Sequence, residues 1–262
     1  MPHAPHGSSP QGRAKWSTFM RLLLIGGALG LAAGCLFFAP TPTPIRTLRA
    51  PAVSGARTLM VLLPGRGSAP EDFQREGFLQ IIAEAGLTAD VVAVDAHLGY
   101  YRNRSVVERI QKDVILPARA AGYDRIVLVG ISMGGLGAML YAQQQPQDIA
   151  AVILIAPFLG DKPVLSDIAT AGGLARWTPQ TVETDYQRVL WKWLRGYAEP
   201  REARPPLYLG FGTEDRFLQS HHLLAAALPP SQVFSAPGGH TWAPWRDVFR
   251  RMLAAGAIAH PR

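Results

Sequence analysis

A serine enclosed by glycines marks the point where an apolar run gives way to a helical pattern. The run "IVLVG" ends at Gly130, and Ser132 and Gly134 complete a G-x-S-x-G motif before the small-residue stretch that follows. Glycines suit so sharp a strand-to-helix turn, because side chains two residues away on either side of a strained serine would collide. The motif predicts that Ser132 is a nucleophile, and the alternative interpretation is a tight packing turn without chemistry.

A serine hydroxyl is a poor nucleophile unless a base removes its proton. His240, in "APGGHTWAPW", follows the last predicted strand and opens the last predicted helix, which is where the base stands when such a turn carries the nucleophile. His97 ends the second predicted strand, ahead of the serine, where we expect it at the edge of a pocket. His221 and His222 project about 100° apart on a predicted helix, which favours surface positions over a metal site. We therefore assign the base to His240.

The base needs an acid that orients its ring and stabilises its charged form. Asp215 lies in "GTEDRF", directly after the fifth predicted strand, and Ser132, Asp215 and His240 then follow in the order nucleophile, acid, histidine. Glu214 beside it and Asp161 after the fourth predicted strand are the alternatives. A solvated turn carboxylate is the simpler interpretation of each.

A negative charge that develops on a carbonyl oxygen needs backbone N–H donors. Met133, directly after the serine, is expected to supply one. The second is expected from "LLPGRGSAP" after the first predicted strand, where Arg66 lies between two glycines and Gly67 is the alternative donor.

Alternating apolar and amphipathic stretches predict the framework that positions these groups. Six apolar runs of strand type alternate with helical patterns over residues 57–262, which is typical of a mostly parallel sheet with helices on both faces. Residues 158–204 contain three tryptophans and helical stretches but no strand pattern. We predict that this segment is a small helical cap inserted into one α/β domain.

The stretches "LPGRG", "GISMGG", "GTED" and "GGHTWAPW" together resemble those of α/β-hydrolase serine esterases, over roughly residues 56–256. The histidine segment is similar to that of the esterase D and related carboxylesterase groups, in which tryptophans follow the histidine. Trp242 and Trp245 stand in that place, so we expect them beside His240 or its pocket, and the alternative is that they are packed in the core without a role at the site. No antiparallel strand is evident before Thr58, which predicts a reduced sheet of about six strands.

The resemblance implies hydrolysis of carboxylic esters through an acyl-enzyme, with Ser132, His240 and Asp215 as the reacting triad. It implies no metal and no organic cofactor, and the sequence has neither zinc-ligand spacing nor a phosphate loop. An acyltransferase that passes the acyl group to an alcohol or lipid is an alternative, for which a tryptophan-lined channel in the cap would argue. A non-catalytic, membrane-tethered binding protein is a further alternative, as is peptidase chemistry. The substrate and the oligomeric state stay open.

The N-terminus carries the signature of an export signal. Residues 1–21 are polar and basic, and an apolar run from Leu22 to Ala39 follows. Cys35, the only cysteine, ends "AAGC", which resembles a bacterial lipoprotein box. The alternatives are an uncut signal anchor, because 18 apolar residues just span a bilayer, and a conventionally cleaved signal. All three place the α/β domain outside the cytoplasm, in the bacterial periplasm or at the cell surface.

Residues 40–56 are rich in proline and small residues, which predicts an extended tether between residues 1–39 and the domain. The formal net charge is +7, but the basic residues are scattered and form no long run. The scattered charge therefore argues against nucleic-acid binding. The resemblance favours an ester substrate as a partner, and the N-terminal segment favours a membrane.

Overall fold

The structure, a computed structural model, describes Met1 and residues 40–179, 184–198 and 204–258. The predicted signal or anchor, with Cys35, lies outside the described residues, as do residues 180–183 and 199–203 of the predicted cap. No helix within the described ranges is long and apolar enough to span a bilayer. The described residues from Thr41 onward belong to one compact unit.

A seven-stranded sheet forms the centre of this unit, in the order β1-β3-β2-β4-β5-β6-β7. Only the edge strand β1 is antiparallel, and it pairs with β3, while the other pairs are parallel. The central strands are runs of Val, Ile and Leu that are buried along nearly their whole length, as expected for a parallel sheet covered on both faces. The strands are β1 (Thr47–Arg49), β2 (Thr58–Leu63), β3 (Ala89–Val94), β4 (Arg125–Ile131), β5 (Ala151–Ile155), β6 (Leu207–Gly212) and β7 (Val233–Ala236).

Helices follow the strands, as the alternating pattern predicts. A π-helical turn, Gln111–Ile115, joins α4 to α5, and two 3₁₀ turns, Pro146–Asp148 and Pro230–Gln232, precede β5 and β7. The α-helices are α1 (Pro70–Arg75), α2 (Phe78–Glu84), α3 (Leu98–Arg102), α4 (Val106–Ile110), α5 (Leu116–Ala120), α6 (Met133–Gln144), α7 (Lys162–Thr170), α8 (Tyr186–Arg195), α9 (Leu218–Ala225) and α10 (Trp242–Ala254).

Two hydrophobic cores cover the two faces of the sheet. Alternate residues of β2 point into them: Leu59 and Val61 contribute to the core that contains α6 and α8, whereas Met60 and Leu62 contribute to the core that contains α2 and α10. Helices therefore lie on both faces, as predicted. This packing fixes the carboxyl ends of the parallel strands, where the loops that carry Ser132 and Asp215 begin.

The expectation of about six strands with no antiparallel leader is wrong. Thr47–Arg49 form β1 within the predicted tether, with Thr47 opposite Val94 of β3. The preceding residues are also attached to the domain, since Ile45 is buried and its amide donates to Asp113 Oδ2 at 2.9 Å. Residues 40–56 are thus partly domain and not wholly a spacer. A three-residue strand that is held by tertiary pairing leaves little periodic signal.

The described part of the predicted cap, residues 158–179, 184–198 and 204, contains helices α7 and α8 and no strand. Its tryptophans belong largely to the core. Trp191 is fully buried and donates its indole N–H to the Leu159 carbonyl at 2.7 Å, Trp177 is buried, and Trp193 packs edge-on against Tyr197. This segment is therefore packed onto the domain through its aromatic residues.

Candidate active site

Ser132 lies at the tip of the turn between β4 and α6, with φ 52° and ψ −112°. A residue with a β-carbon is strained at a positive φ, so the surroundings must hold it there. Hydrogen bonds do so on both sides: the Ser132 amide donates to the Ile155 carbonyl at 2.9 Å, and its carbonyl accepts from the Phe158 amide at 2.9 Å. The end of β5 and the loop after it thus fix the serine backbone.

The glycines around the serine are required by close approach of backbone. A β-carbon at Gly130 would lie 2.3 Å from the Gly134 carbonyl oxygen, and one at Gly134 would lie 2.0 Å from the Leu63 carbonyl oxygen. At Gly135 it would lie 2.8 Å from a side-chain carbon of Pro157. The predicted collision on either side of the serine is confirmed.

The three residues predicted to react together are in hydrogen-bond contact. His240 Nε2 lies 3.0 Å from Ser132 Oγ, and His240 Nδ1 lies 2.8 Å from Asp215 Oδ2. The carboxylate accepts from Nδ1–H, so in the neutral imidazole Nε2 is the acceptor that can take the serine proton. This arrangement can transfer a proton from Ser132 to His240 while Asp215 holds the ring.

Asp215 has a fully buried side chain. Burial opposes its ionisation, but the hydrogen bonds from His240 and from the Phe217 amide, the latter at 2.8 Å, outweigh burial and lower the pKa of Asp215. Asp215 is therefore ionised at neutral pH. Of the two alternative acids, Glu214 is exposed, and Asp161 accepts from the Gln187 side chain at 2.9 Å.

Aromatic rings enclose His240. Trp245 stands edge-on to the imidazole at a centroid distance of 4.9 Å, and Phe217 does so at 5.1 Å. Trp242 packs against Trp245 and against Phe78. Trp245 therefore contacts the histidine, and Trp242 contacts Trp245, so both lie beside His240 as expected. Neither tryptophan lines the cavity described below. Phe217 was not predicted, although it follows Asp215 closely in the chain.

Two other histidines lie elsewhere than predicted. His97 accepts from the Gly99 amide through Nδ1 at 3.1 Å and caps α3, and it does not line the cavity. His221 is fully buried, against the prediction of a surface position, whereas His222 is exposed. Burial behind Phe211 and Phe217 is a tertiary effect that the helical pattern does not reveal.

The two predicted amide donors flank the serine. Met133 is the first residue of α6, where backbone N–H groups have no partner within the helix. Arg66 follows Gly65, at which a β-carbon would lie 3.4 Å from Ser132 Cβ. Across the described ranges, neither the Met133 nor the Arg66 amide donates a hydrogen bond to the protein. Met133 and Arg66 both line the cavity that Ser132 also lines.

A cavity of about 1320 Å³ opens onto Ser132. Its floor is one face of α6, on which Leu136 and Leu140 follow Ser132 at intervals of four residues. Its apolar walls come from α4 and α8, with Val107 and Val189 among them, and its far end is polar, at Gln143, Gln144 and Gln145.

The described residues contain no group of three or more His, Cys, Asp or Glu side chains that could hold a metal ion.

Comparisons with known proteins agree with this fold. Residues 103–225 match the family described as serine aminopeptidase, S33. A Staphylococcus aureus S-formylglutathione hydrolase is 15% identical with a TM-score of 0.54, over 82% of this chain and 98% of that one. A Paleococcus ferrophilus monoacylglycerol lipase is 20% identical with a TM-score of 0.52, over 83% of this chain and all of that one. A ferulic acid esterase is 18% identical with a TM-score of 0.52, over 76% of this chain and 84% of that one.

No curated protein matches the chain in sequence. The chain has the α/β-hydrolase fold, as predicted.

Proposed function

We propose that the protein hydrolyses carboxylic esters at Ser132. The observation that carries the proposal is the pair of contacts that joins Ser132 through His240 to Asp215. The names of the similar structures, a hydrolase, a lipase and an esterase, agree with this chemistry. Such remote similarity shows the fold alone, so the proposal rests on the site.

In the first half of the reaction, Ser132 Oγ attacks the carbonyl carbon while His240 Nε2 takes its proton. The amides of Met133 and Arg66 donate to the carbonyl oxygen as it becomes negative. His240 then gives its proton to the alcohol oxygen, whose bond to the carbonyl carbon breaks, and the alcohol leaves. Asp215 stabilises the transiently charged imidazolium.

In the second half, water replaces the alcohol. His240 takes a proton from the water molecule while the water oxygen bonds to the acyl carbon. His240 then protonates Ser132 Oγ as the acyl–serine bond breaks. A carboxylic acid leaves and the starting state is restored, so no external reductant, oxidant or metal enters the balance.

The cavity fits an acyl chain of medium length. Its apolar floor runs from Ser132 to Leu140, which is about 12 Å along the helix axis. Beyond it the lining turns to glutamine side chains, which an aliphatic chain would have to desolvate. We therefore expect acyl chains that end near Leu140 to be preferred.

Aminopeptidase chemistry, which the matching family's description suggests, fits the cavity less well. A peptide N-terminus is cationic and needs an acidic partner. Among described residues the acidic lining is Glu108, which already accepts from Lys112 Nζ at 2.8 Å and from Arg109 at 2.9 Å.

The observation that would favour an acyltransferase is also missing, since Trp177, Trp191 and Trp193 do not line the cavity.

The test is serine-dependent hydrolysis by the full-length chain in mild detergent. We expect the protein to cleave p-nitrophenyl butyrate and octanoate and to be labelled by a fluorophosphonate, and Ser132→Ala to lose both. Ser166→Ala, at an exposed serine of α7, serves as the matched control and should behave as wild type. Turnover that persists in Ser132→Ala, or no turnover of any ester by wild type, would overturn the proposal.

For the N-terminal segment, we propose that it exports the domain and holds it at a membrane. The support is its sequence: a basic start, an apolar run and Cys35 near the end of that run. The alternatives of a lipid on Cys35, an uncut anchor and a cleaved signal all stay proposals.

A further inference from the structure

Arginine side chains line the cavity around the reacting groups. Arg66 follows β2, Arg104 lies between α3 and α4, and Arg216 follows Asp215 directly. Among the residues that the structure describes, none of these three guanidinium groups forms an ion pair with a carboxylate. The acid at the cavity, Glu108, is neutralised by Arg109 and Lys112. The described lining therefore carries uncompensated positive charge.

Arg216 has a defined place relative to His240. Its guanidinium carbon lies 4.9 Å above the centroid of the Phe217 ring, and that ring stands edge-on to the His240 imidazole at 5.1 Å. The cation–π contact orients a side chain that would otherwise move freely in solvent. Arg216 is thus connected to His240 through the Phe217 ring.

The His240 side of the serine is the side of the alcohol. His240 must protonate the departing alcohol oxygen, so that oxygen lies next to Nε2, while the acyl chain lies along α6 on Leu136 and Leu140. The contacts from His240 through Phe217 to Arg216 connect this guanidinium to the alcohol side of the site. Arg216 is exposed at the cavity, and a guanidinium binds phosphate and carboxylate through parallel N–H donors.

We propose that the preferred substrates are acyl esters whose alcohol portion carries a phosphate or a carboxylate, bound by Arg216. This inference rests on the proposed ester hydrolysis at Ser132. The inference adds the chemical class of the leaving alcohol, which neither the serine nor the apolar floor of the cavity defines.

The experiment compares octanoyl esters of four alcohols with the full-length chain: glycerol, glycerol phosphate, glycolate and choline. We expect kcat/KM for the two anionic esters to exceed that for the glycerol ester by about tenfold, and the choline ester to be the poorest. Arg216→Gln should remove this preference and leave hydrolysis of the glycerol ester within about twofold of wild type. Arg216→Lys keeps the charge but not the parallel donors, and should keep only part of the preference. Arg176→Gln, at an exposed arginine outside the cavity lining, should change nothing.

The outcomes separate this inference from the proposed function. Hydrolysis of the glycerol and anionic esters at equal rates, unaltered in Arg216→Gln, would overturn the inference and leave the esterase proposal standing. An anionic preference that survives Arg216→Gln would also overturn the assignment to Arg216. A preference for only the phosphate or only the carboxylate ester supports the inference and identifies the anion. No Ser132-dependent turnover of any of the four would remove the proposed function itself.

Discussion

His221 Nε2 lies 3.1 Å from the carbonyl oxygen of Pro157, so a fully buried imidazole joins α9 to the loop after β5. A carbonyl oxygen only accepts, so Nε2 carries the proton. His221 Nδ1 is buried and has no hydrogen-bond partner within the described ranges. The same loop holds the serine backbone through Phe158, which makes His221 a structural link between the nucleophile and the segment that follows the acid.

We expect the buried His221 to make the folded protein less stable in acid. Burial lowers the pKa of His221 to about 4, although the charge of Asp215 and the hydrogen bond to the Pro157 carbonyl oppose this shift; the charges of His240 and His222 add to the lowering. The unfolded chain takes up the proton below about pH 6.5, whereas the folded chain does so only near pH 4. Protons therefore favour unfolding across this window, and stability falls as the pH falls through it.

The measurement is urea unfolding at pH 7 and pH 4. His221→Gln keeps an N–H donor for Pro157 but does not titrate, so its free energy of unfolding should fall by about 3 kcal/mol less than that of wild type. His222→Gln, at the exposed neighbour, should keep the wild-type loss. Equal losses in wild type and His221→Gln would show that His221 does not titrate in this range.

Gly134→Ala should destabilise the protein by about 3 kcal/mol or more and abolish ester hydrolysis. The new β-carbon would lie 2.0 Å from the Leu63 carbonyl oxygen, so backbone must move at the serine turn. Gly137→Ala, in the same helix, meets first the hydroxyl end of the Tyr101 side chain at 2.4 Å. That side chain can shift, and alanine favours the helix by about 1 kcal/mol. Similar unfolding midpoints for the two variants would contradict this distinction.

Leu140→Trp should shorten the acyl chains that the protein accepts. Leu140 lies at the end of the apolar floor of the cavity, where an indole would fill the space of the last methylene groups. We expect kcat/KM for p-nitrophenyl octanoate to fall by about tenfold while that for the acetate stays unchanged. Leu116→Trp, at an exposed leucine outside the cavity, is the control. Equal loss for both esters would place the acyl chain elsewhere.

For the N-terminus, mass spectrometry of the protein from bacterial membranes should find diacylglycerol on Cys35 and no residue before it. Cys35→Ser should then carry no lipid and keep its signal uncut. A wild-type chain that retains Met1 would instead indicate the signal anchor, and a free N-terminus without lipid would indicate conventional cleavage.

The sequence predicted the residues that local spacing determines. Ser132, with its glycines, is identified by five consecutive residues, and Asp215 and His240 each follow a strand that its apolar run reveals. The structure brings the three side chains together, and their roles stay a proposal.

Other features depend on contacts between distant segments. His221 is buried by Phe211 and Phe217, which no helical pattern shows. The strand Thr47–Arg49 exists because it pairs with β3, and its three residues sit in a proline-rich stretch. The cavity needs walls from α4 and α8, which are far apart in the chain, so its size and its arginines could not be predicted.

The walls of the cavity and the reacting groups belong to different parts of the chain. Val107 and Val189 stand on α4 and α8, whereas the serine, the acid and the histidine follow β4, β6 and β7. Replacements on the two wall helices therefore leave the hydrogen bonds of Ser132, His240 and Asp215 in place. The proposed esterase could therefore change which esters it accepts through single substitutions on α4 or α8 that leave Ser132, His240 and Asp215 unaltered.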